Sequence, residues 1–538
     1  MKNSSESVNE LDADVLVLGG GPAATWAAIS ARNIGASVIL ADKGFCGASG
    51  ATAAAGTGLW FVGDDTDRRE FEVARLFAAG GFLAETKWMH RVLDLTRLGV
   101  DQLVEWGYPF PIGEDRQGRF TSLQGPEYMR LMRKQVKAAG VRILDQSPAL
   151  ELIINPSGAA SGALGVHRQP IGTQRENWLV RAGAVVMATG GCAFLGNALG
   201  CNPLTGDGLL MSAEVGAELS GMEFSNMYGL APQFSSVTKS LLYNWASFYK
   251  EDGTELDRSG GLGMVARALQ TGPVYARLDR AGPAMQPWMR NSQPNFFLPF
   301  DRRGLDPFIQ RFPITLRLEG SVRGTGGLRL VDETCATTVP GLFAAGDVAT
   351  RELICGATTG GGAPNAAWAM SSGSLAGAGA ARFALTARRE NGYSSPLVGG
   401  VGLRMGASPA GDCSALVAEM HSEVFPLQKN MLRSESGMAE SLNRLDDLWA
   451  RMSHVASTDG RSRVRARETA AMLAASRWMY RSAMLRRESR GMHVRSDFPT
   501  MDMSQAHRIL CGGLDDIWTK PQQPVVKASR QPRERSIG

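Results

Sequence analysis

The sequence predicts an α/β protein built around a parallel sheet, and three stretches carry that prediction. The apolar run 15–18 opens into the glycine-rich turn 19–24, and the alanine-rich stretch after it has the composition of a helix. A second apolar run covers 37–41, and a third, 181–187, leads into Ala188-Thr189-Gly190-Gly191. Buried strands alternating with helices are typical of a doubly wound sheet.

The first stretch has the spacing of a dinucleotide-binding unit. Gly19 would make the tight turn after the strand, Gly21 would let the backbone approach a phosphate, and Ala24 takes the third glycine position. Free N–H groups and the helix dipole favour an anion at this helix N-terminus. Asp42, at the end of the second strand, is the acid expected to hydrogen-bond a ribose. Strand, helix, second strand and terminal acid together favour dinucleotide binding over an ordinary turn.

Length and composition limit the class of protein. A chain of 538 residues is expected to form two to four domains. Its seven cysteines are scattered without a Cys-x-x-Cys pair, which argues against a disulfide framework or an iron–sulfur site. The net charge of +5 gives little support for nucleic-acid binding. No apolar run approaches the roughly 20 residues that span a bilayer, and residues 1–12 are polar, so we expect a cytoplasmic enzyme.

The segment after Asp42, residues 43–56, is too rich in glycine and alanine for a regular element. Such a run can wrap a flat ligand, and Ser49 and Thr52 within it can hydrogen-bond. The segment 202–208 opens a further helix and brings Asp207 beside the end of the third strand, although Asp207 could simply cap that helix.

The remaining chain continues the alternation and then departs from it. Helices are predicted over 65–107 and 127–139, with a short strand over 141–144. From about 224 to 323 the periodicity is broken, which indicates an inserted domain. A strand at 341–347 then delivers Gly346 and Asp347, and Gly360-Gly361-Gly362-Ala363-Pro364-Asn365 precedes an apolar helix over 366–383. Three amphipathic helices are predicted between 410 and 490.

Together these residues resemble the flavoprotein superfamily of succinate dehydrogenase, fumarate reductase, L-aspartate oxidase and the adenylylsulfate reductase alpha subunit. The resemblance covers most of residues 13–500. Its carriers are the 19–24 fingerprint with Asp42, the segments 188–191, 205–208 and 341–347 and, most specifically, 488–499.

The resemblance implies a Rossmann-like FAD-binding domain with an inserted α+β capping domain and a C-terminal helical domain. The implied boundaries are 13–224 and 326–390 for the FAD-binding domain, 225–325 for the capping domain, 405–515 for the helical domain and 516–538 for a basic, disordered tail. The implied FAD contacts are Gly19, Gly21, Pro22, Ala23, Ala24, Asp42, Lys43, Ser49, Thr52, Ala149, Ala188, Thr189, Gly190, Asp207, Gly346, Asp347, Pro364 and Asn365.

The departures from this family bear on the chemistry. Gly50 stands where the respiratory enzymes carry a flavin-linked histidine, so the FAD is expected to be non-covalent. The family's two dicarboxylate histidines fall at Tyr228-Gly229-Leu230 and at Val322. Its proton-shuttling arginine falls near Leu262, and its carboxylate-clamping arginine falls at Thr359. Threonine, valine and leucine cannot supply charge to two carboxylates, so succinate or fumarate chemistry is not expected.

Polar groups that could serve another substrate remain. Arg351 and Tyr228 are the candidates to face the flavin as catalytic residues, and Arg267, Arg323 and Arg329 are weaker ones.

The sequence therefore predicts an FAD-dependent oxidoreductase that passes hydride between a small organic substrate and the flavin. The electron acceptor would be dioxygen or a separate iron–sulfur, ferredoxin-like partner. One alternative is an adenylylsulfate-reductase-like flavoprotein subunit. Another is a flavin-bearing binding or assembly protein without turnover.

Overall fold

The computed structural model describes residues 8–111, 119–170, 175–238, 240–386, 400–406 and 411–522. Its first part is a layered arrangement of strands and helices. The strands are β1 (Asn9–Leu18), β2 (Val38–Ala41), β3 (Gly56–Gly58), β4 (Ser122–Gln124), β5 (Arg142–Leu144), β6 (Ala149–Ile154), β7 (Ala160–Val166), β8 (Asn177–Met187) and β9 (Leu219–Ser220). The helices are α1 (Pro22–Asn33), α2 (Thr66–Ala79), α3 (Thr86–Glu105), α4 (Gly125–Ala138) and α5 (Asp207–Glu214).

A second body of structure follows and has its own apolar core. Its antiparallel sheet has the order β10-β13-β12-β11. The elements are β10 (Met227–Pro232), β11 (Ser247–Lys250), α6 (Gly261–Leu269), β12 (Val274–Arg277), α7 (Met285–Ser292), α8 (Pro294–Asp301), β13 (Phe312–Glu319) and α9 (Gly320–Arg323). Phe296, Phe300 and Phe312 pack together at its centre, separate from the main core. The α+β class predicted for this insertion is confirmed, while its boundaries at 225 and 325 stay predictions.

The chain then returns to the first sheet and ends in long helices. The elements are β14 (Gly327–Leu328), β15 (Leu342–Ala344), α10 (Glu352–Cys355), α11 (Gly362–Thr386), α12 (Cys413–Val424), α13 (Leu427–Asn430), β16 (Leu432–Arg433), α14 (Glu435–Met452), α15 (Gly460–Leu485), β17 (Val494–Arg495), β18 (Ile509–Gly512) and β19 (Trp518–Pro521). Helix α11 packs closely along α1 because Gly373 and Gly377 face the backbone of Ala23 and Ala27.

The strand register brings the predicted strand ends to one edge of the main sheet. The order is β5-β2-β1-β8-β7-β6, with β15 also paired to β8. Leu18 at the end of β1 aligns in parallel with Ala41 of β2 and with Met187 of β8. Ala344 of β15 aligns in parallel with Met187 as well. Since ligands of open α/β sheets bind outside the carboxyl ends of the strands, this edge is where a site is expected.

The C-terminal part is built mainly of the long helices α12, α14 and α15, as predicted. It also contains β18, which pairs with β9 of the first part and with β19. Strand β19 also lies inside the predicted disordered tail 516–538, where pairing to β18 satisfies its backbone groups. The rest of that tail, 523–538, lies outside the described residues. Within the described part of the chain, no helix combines the length and hydropathy needed to cross a membrane.

Candidate functional site

A cavity with about 1280 Å³ of empty space, part of it open to solvent, lies at the carboxyl edge of the main sheet. It runs from the turn after β1, past the ends of β2 and β8, to the N-terminus of α11. The predicted contacts in its wall are Gly19, Gly21, Pro22, Ala23, Asp42, Lys43, Ser49, Thr52, Ala149, Ala188, Thr189, Gly190, Asp207, Gly346, Asp347 and Asn365. Ala24 and Pro364 are instead buried behind the wall, in the first turns of α1 and α11.

The turn after β1 needs its glycines for close approach. Gly19 has φ +122°, and a Cβ there would lie 2.2 Å from the carbonyl oxygen of Ala188. A Cβ on Gly20 would lie 2.4 Å from the Asp42 carboxylate. Gly21 faces open cavity, with no atom within 4 Å of a Cβ position, and no side chain caps α1. The N–H groups of the first turn of α1 are therefore free to bind an anion.

Asp42 directly follows β2, as predicted, and its carboxylate accepts a hydrogen bond from Ser49. The Ser49 hydroxyl donates to Asp42 Oδ2 at 2.6 Å. Burial raises the pKa of Asp42 above its ordinary value, although the Ser49 hydrogen bond acts in the opposite direction. The carboxyl group lies in the wall beside Gly20, where an acid would meet a ribose of a nucleotide whose phosphates occupy the α1 N-terminus.

Lys43 organises the neighbouring part of the wall. Its ammonium group donates to Thr205 Oγ1 at 2.7 Å and to Asp207 Oδ2 at 2.7 Å, and it pairs with Glu468 Oε1 at 2.8 Å. Burial opposes the charge, but Asp207 and Glu468 outweigh it and hold the pKa of Lys43 above its ordinary value. Asp207 does not cap α5, because Gly206 is the N-cap and makes no side-chain cap bond. The carboxylate of Asp207 is instead held at the cavity by Lys43.

The two predicted catalytic residues lie behind the wall rather than in it. Arg351 is 1% exposed, and its guanidinium donates to Asp347 Oδ1 and to the carbonyl oxygens of Val322 and Gly324. Tyr228 is 2% exposed and donates to the carbonyl oxygen of Val424 at 2.9 Å. The expectation that these groups face the flavin is therefore corrected: Arg351 holds the cavity residue Asp347 from behind, and Tyr228 ties β10 to α12.

Among the weaker arginine candidates, Arg323 is the one that lines the cavity. Arg267 is exposed on α6, and Arg329 is paired with Glu218. Arg323 Nε lies 3.9 Å from Glu319 Oε1, and its Nη1 lies 3.6 Å from the position of a Cβ on Gly362. Its guanidinium is thus directed toward the N-terminus of α11.

The N-terminus of α11 closes this end of the cavity. Gly362, Asn365, Ala366 and Ala369 contribute to the wall. Both side-chain amide atoms of Asn365 are buried and lack a hydrogen-bond partner among the described residues. Buried amides are normally paired, so Asn365 is set to meet a ligand that offers both a donor and an acceptor. The edge of an isoalloxazine ring, with its ring nitrogens and carbonyl groups, meets that requirement.

The geometry as a whole fits FAD: one free helix N-terminus for the pyrophosphate, an acid for a ribose, and a second helix N-terminus with an unpaired amide for the ring. The similarity of this chain to known protein families also indicates FAD binding. A family model of FAD binding domains matches residues 14–228, and one of the fumarate reductase flavoprotein C-terminal domain matches residues 422–535. The chain belongs to the fumarate reductase and succinate dehydrogenase flavoprotein family. It is an FAD-dependent oxidoreductase.

Relatives of this flavoprotein span nearly its whole length. An uncharacterized FAD-dependent oxidoreductase of Methanocaldococcus jannaschii is 27% identical over 90% of this chain and 94% of its own. The structure of an Escherichia coli quinol fumarate reductase FrdA variant superposes with a TM-score of 0.81 at 21% identity, covering 98% of both chains. Adenylylsulfate reductase of Archaeoglobus fulgidus superposes with a TM-score of 0.75 at 17% identity, covering 97% of both chains. These structures share the fold of this flavoprotein.

Some residues of the wall were not predicted from the sequence. Gly20 and Thr57 line the cavity, and Thr57 Oγ1 also donates to the carbonyl oxygen of Gly362, at 3.4 Å. Gly20 lies inside the 19–24 fingerprint, so the spacing of that motif could have predicted its place in the wall. Glu468, which holds Lys43 from helix α15, had no local signal because its partner lies in a different domain. The contacts of all these residues with FAD stay predictions.

Proposed function

We propose that this flavoprotein transfers hydride between FAD and a small organic substrate that carries one anionic group, and that it does not act on succinate or fumarate. The observation that carries the proposal is the distribution of charge in the cavity wall. Two cationic side chains line it in the described part of the chain, and Lys43 is already paired with Asp207 and Glu468. Arg323 has one long ion pair, with Glu319 at 3.9 Å, and its guanidinium N–H groups remain available to a substrate.

A dicarboxylate would need a second fixed cation beside Arg323. Val322 lines the cavity next to it, and Thr359, the position of the family's carboxylate clamp, carries no charge. A single anionic group can be held by the guanidinium of Arg323 while the rest of the substrate contacts apolar wall. Bound FAD would supply the hydride acceptor or donor at its N5 atom. The chain itself would orient the substrate through Arg323 and limit the access of water.

The test of this function is flavin reduction in the absence of oxygen. In stopped-flow spectra, we expect monoanionic candidates to bleach the flavin and succinate to leave it oxidised. Arg323→Met should lower the efficiency of reduction by roughly 10- to 150-fold, the loss of one charge-assisted contact, while flavin content stays unchanged. Arg267→Met, an exposed arginine of the inserted domain, is the control and should behave like the parent protein.

Two outcomes would contradict the proposal. One is reduction by succinate as fast as by any monoanion, and the other is an Arg323→Met protein with parental kinetics. The electron acceptor is proposed to lie outside this chain, as dioxygen or as an iron–sulfur partner, because the cysteine spacing offers no cluster site. Including adenylylsulfate and sulfite in the panel decides the adenylylsulfate-reductase-like alternative.

We also propose that the FAD is held without a covalent bond. Gly50 lines the cavity where the family's histidine stands, and a glycine has no side chain to form a bond with the flavin. Acid precipitation of the flavin-loaded protein should release all of the yellow colour into the supernatant. Flavin retained in the washed pellet would refute this expectation.

Asn365→Asp is expected to lower the flavin midpoint potential and to slow substrate-driven reduction. The N-terminus of α11 behaves as about half a positive charge and favours negative charge on a ring beside it by roughly 0.3–1 kcal/mol, and a carboxylate there opposes that effect. Spectroelectrochemical titration measures the potential. The matched control is Asn33→Asp, the same change at the exposed C-terminus of α1, which should leave the potential unchanged. Equal midpoint potentials for Asn365→Asp and the parent protein would show that the flavin ring does not lie at the N-terminus of α11.

A further inference from the structure

A second cavity, with about 1620 Å³ of empty space that is partly open to solvent, lies between the segment after β7 and the start of α15. Gln146, His167 and Arg168 line it from the FAD-binding domain. Arg461, Arg465 and Glu468 line it from α15. The two cavities share no lining residue in the described part of the chain. This second cavity is therefore a separate candidate site.

The acids in its wall are already engaged. Glu176 Oε1 accepts the backbone N–H of residue 460 at 2.9 Å, and Asp459 Oδ1 accepts that of residue 462 at 2.7 Å, so both cap the first turn of α15. Glu468 Oε1 is paired with Lys43 at 2.8 Å and with Arg168 at 3.1 Å. Each of these contacts uses one oxygen of its carboxylate, and the three acids share the wall with three arginines.

The arginines in the same wall keep most of their donors. A guanidinium carries five N–H groups. The guanidinium of Arg168 donates to Glu468 and that of Arg465 to Ser414 Oγ, while that of Arg461 makes no hydrogen bond within the described residues. The wall therefore presents spare N–H donors on positive charge, the arrangement that binds oxyanions.

His167 adds a different requirement. The side chain is 5% exposed, and its Nδ1 lies 2.8 Å from the hydroxyl of Ser147. Since that hydroxyl lies 2.8 Å from the carbonyl oxygen of Asp145, which can only accept, we assign the proton of the Ser147–His167 pair to the histidine Nδ1. The Nε2 atom of His167 is then an acceptor, and it has no partner among the described residues. A ligand that satisfies this wall brings an O–H or N–H donor as well as negative charge.

We propose that the second cavity binds a phosphate-bearing anion, held by Arg168, Arg461 and Arg465 and by a hydrogen bond to His167. Hydrogen phosphate and phosphate monoesters with a neighbouring hydroxyl group combine anionic oxygens with an O–H donor. Sulfate has the same shape and charge but no proton to donate near neutral pH. Phosphate should therefore bind more tightly than sulfate, and the arginines should account for most of the affinity.

Occupancy of this site is linked to the FAD site through Glu468. A phosphate that engages Arg168 leaves the Glu468 carboxylate to Lys43, which holds Asp207 in the wall of the FAD cavity. We expect saturating phosphate to tighten FAD binding, at the low end of usual coupling energies, roughly fivefold. Unchanged FAD affinity with phosphate bound would overturn this linkage.

Calorimetric titration of the FAD-loaded protein tests the site itself. The probes are inorganic phosphate, glycerol 3-phosphate and sulfate. Binding of either phosphate probe supports the site, and the probe that binds more tightly shows whether free phosphate or a phosphate monoester is the preferred ligand. We expect Arg461→Gln and Arg465→Gln each to weaken phosphate binding about tenfold or more. The control is Arg451→Gln, an exposed arginine on α14 that pairs with Glu419, and it should leave the affinity unchanged.

The outcomes are distinct from those of flavin reduction, because no substrate is used. Absence of binding by both phosphate probes would overturn the site. Equal weakening by Arg451→Gln would show that binding reflects overall charge rather than this cavity, and would also overturn it. Sulfate binding as tightly as phosphate would remove the hydrogen bond to His167 from the proposal.

Discussion

Replacing Lys43 with methionine is expected to abolish FAD retention and to destabilise the protein by about 3–5 kcal/mol. The substitution keeps the length of the side chain but leaves the carboxylates of Asp207 and Glu468 without their shared cation. Both carboxylates are at least three-quarters buried, with 18% and 23% side-chain exposure. Glu468 keeps Arg168 as a partner, but Asp207 keeps only the Thr205 hydroxyl. The cost of leaving a buried charge without its cation exceeds the net contribution of the intact pair.

Flavin content after gel filtration and urea unfolding of the Lys43→Met protein measure the two effects. The matched control is Lys520→Met, which removes an exposed lysine paired with Glu218 on the surface. Surface pairs contribute about 0–1 kcal/mol, so this control should keep its flavin and nearly all of its stability. A Lys43→Met protein that equals the control would show that the Lys43 network contributes nothing to the cofactor site.

Glu352→Gln is expected to remove a pH dependence of stability of about 3 kcal/mol. The Glu352 side chain is fully buried, Oε2 accepts from the Ser220 hydroxyl at 2.5 Å, and Oε1 has no partner among the described residues. Burial, and then the neighbouring carboxylate of Glu223, raise the pKa of Glu352 from 4.5 to about 7, while Arg508, the Ser220 hydrogen bond and Arg486 oppose this rise.

The sign of the effect follows from proton binding. Between pH 4.5 and about 7, the folded protein keeps the proton on Glu352 while the unfolded chain releases it, so stability falls as the pH rises. Glutamine cannot ionise and can still accept from Ser220. The variant should therefore match the parent protein below about pH 4.5 and exceed it in stability above about pH 7.

Urea midpoints measured across this pH range test the expectation. Glu435→Gln, a change at an exposed acid in the first turn of α14, is the control and should leave the pH profile of the parent protein in place. If Glu352→Gln also keeps the parental profile, the buried carboxyl titrates in the folded protein as it does in the unfolded chain.

The sequence by itself determined the parts of this protein that depend on local backbone chemistry. Gly19 and Gly21 were recognisable because a tight turn and a phosphate approach need residues without a Cβ. Asp42 was recognisable from its place at the end of an apolar run. The register of β1, β2 and β8 then brings these predicted strand ends together, as parallel pairing requires.

The tertiary structure alone decided which side chains face the cavity. The sequence favoured Arg351 over Arg323 as the arginine that faces the flavin, yet Arg351 turns to Asp347 and to backbone carbonyls while Arg323 lines the wall. The direction of a long side chain depends on which donors and acceptors the packed elements place around it, and these come from distant parts of the chain. Glu468 beside Lys43 and β19 beside β18 arise in the same way. Contacts of this kind form only when helices and strands from distant parts of the chain pack together, so local sequence patterns do not predict them.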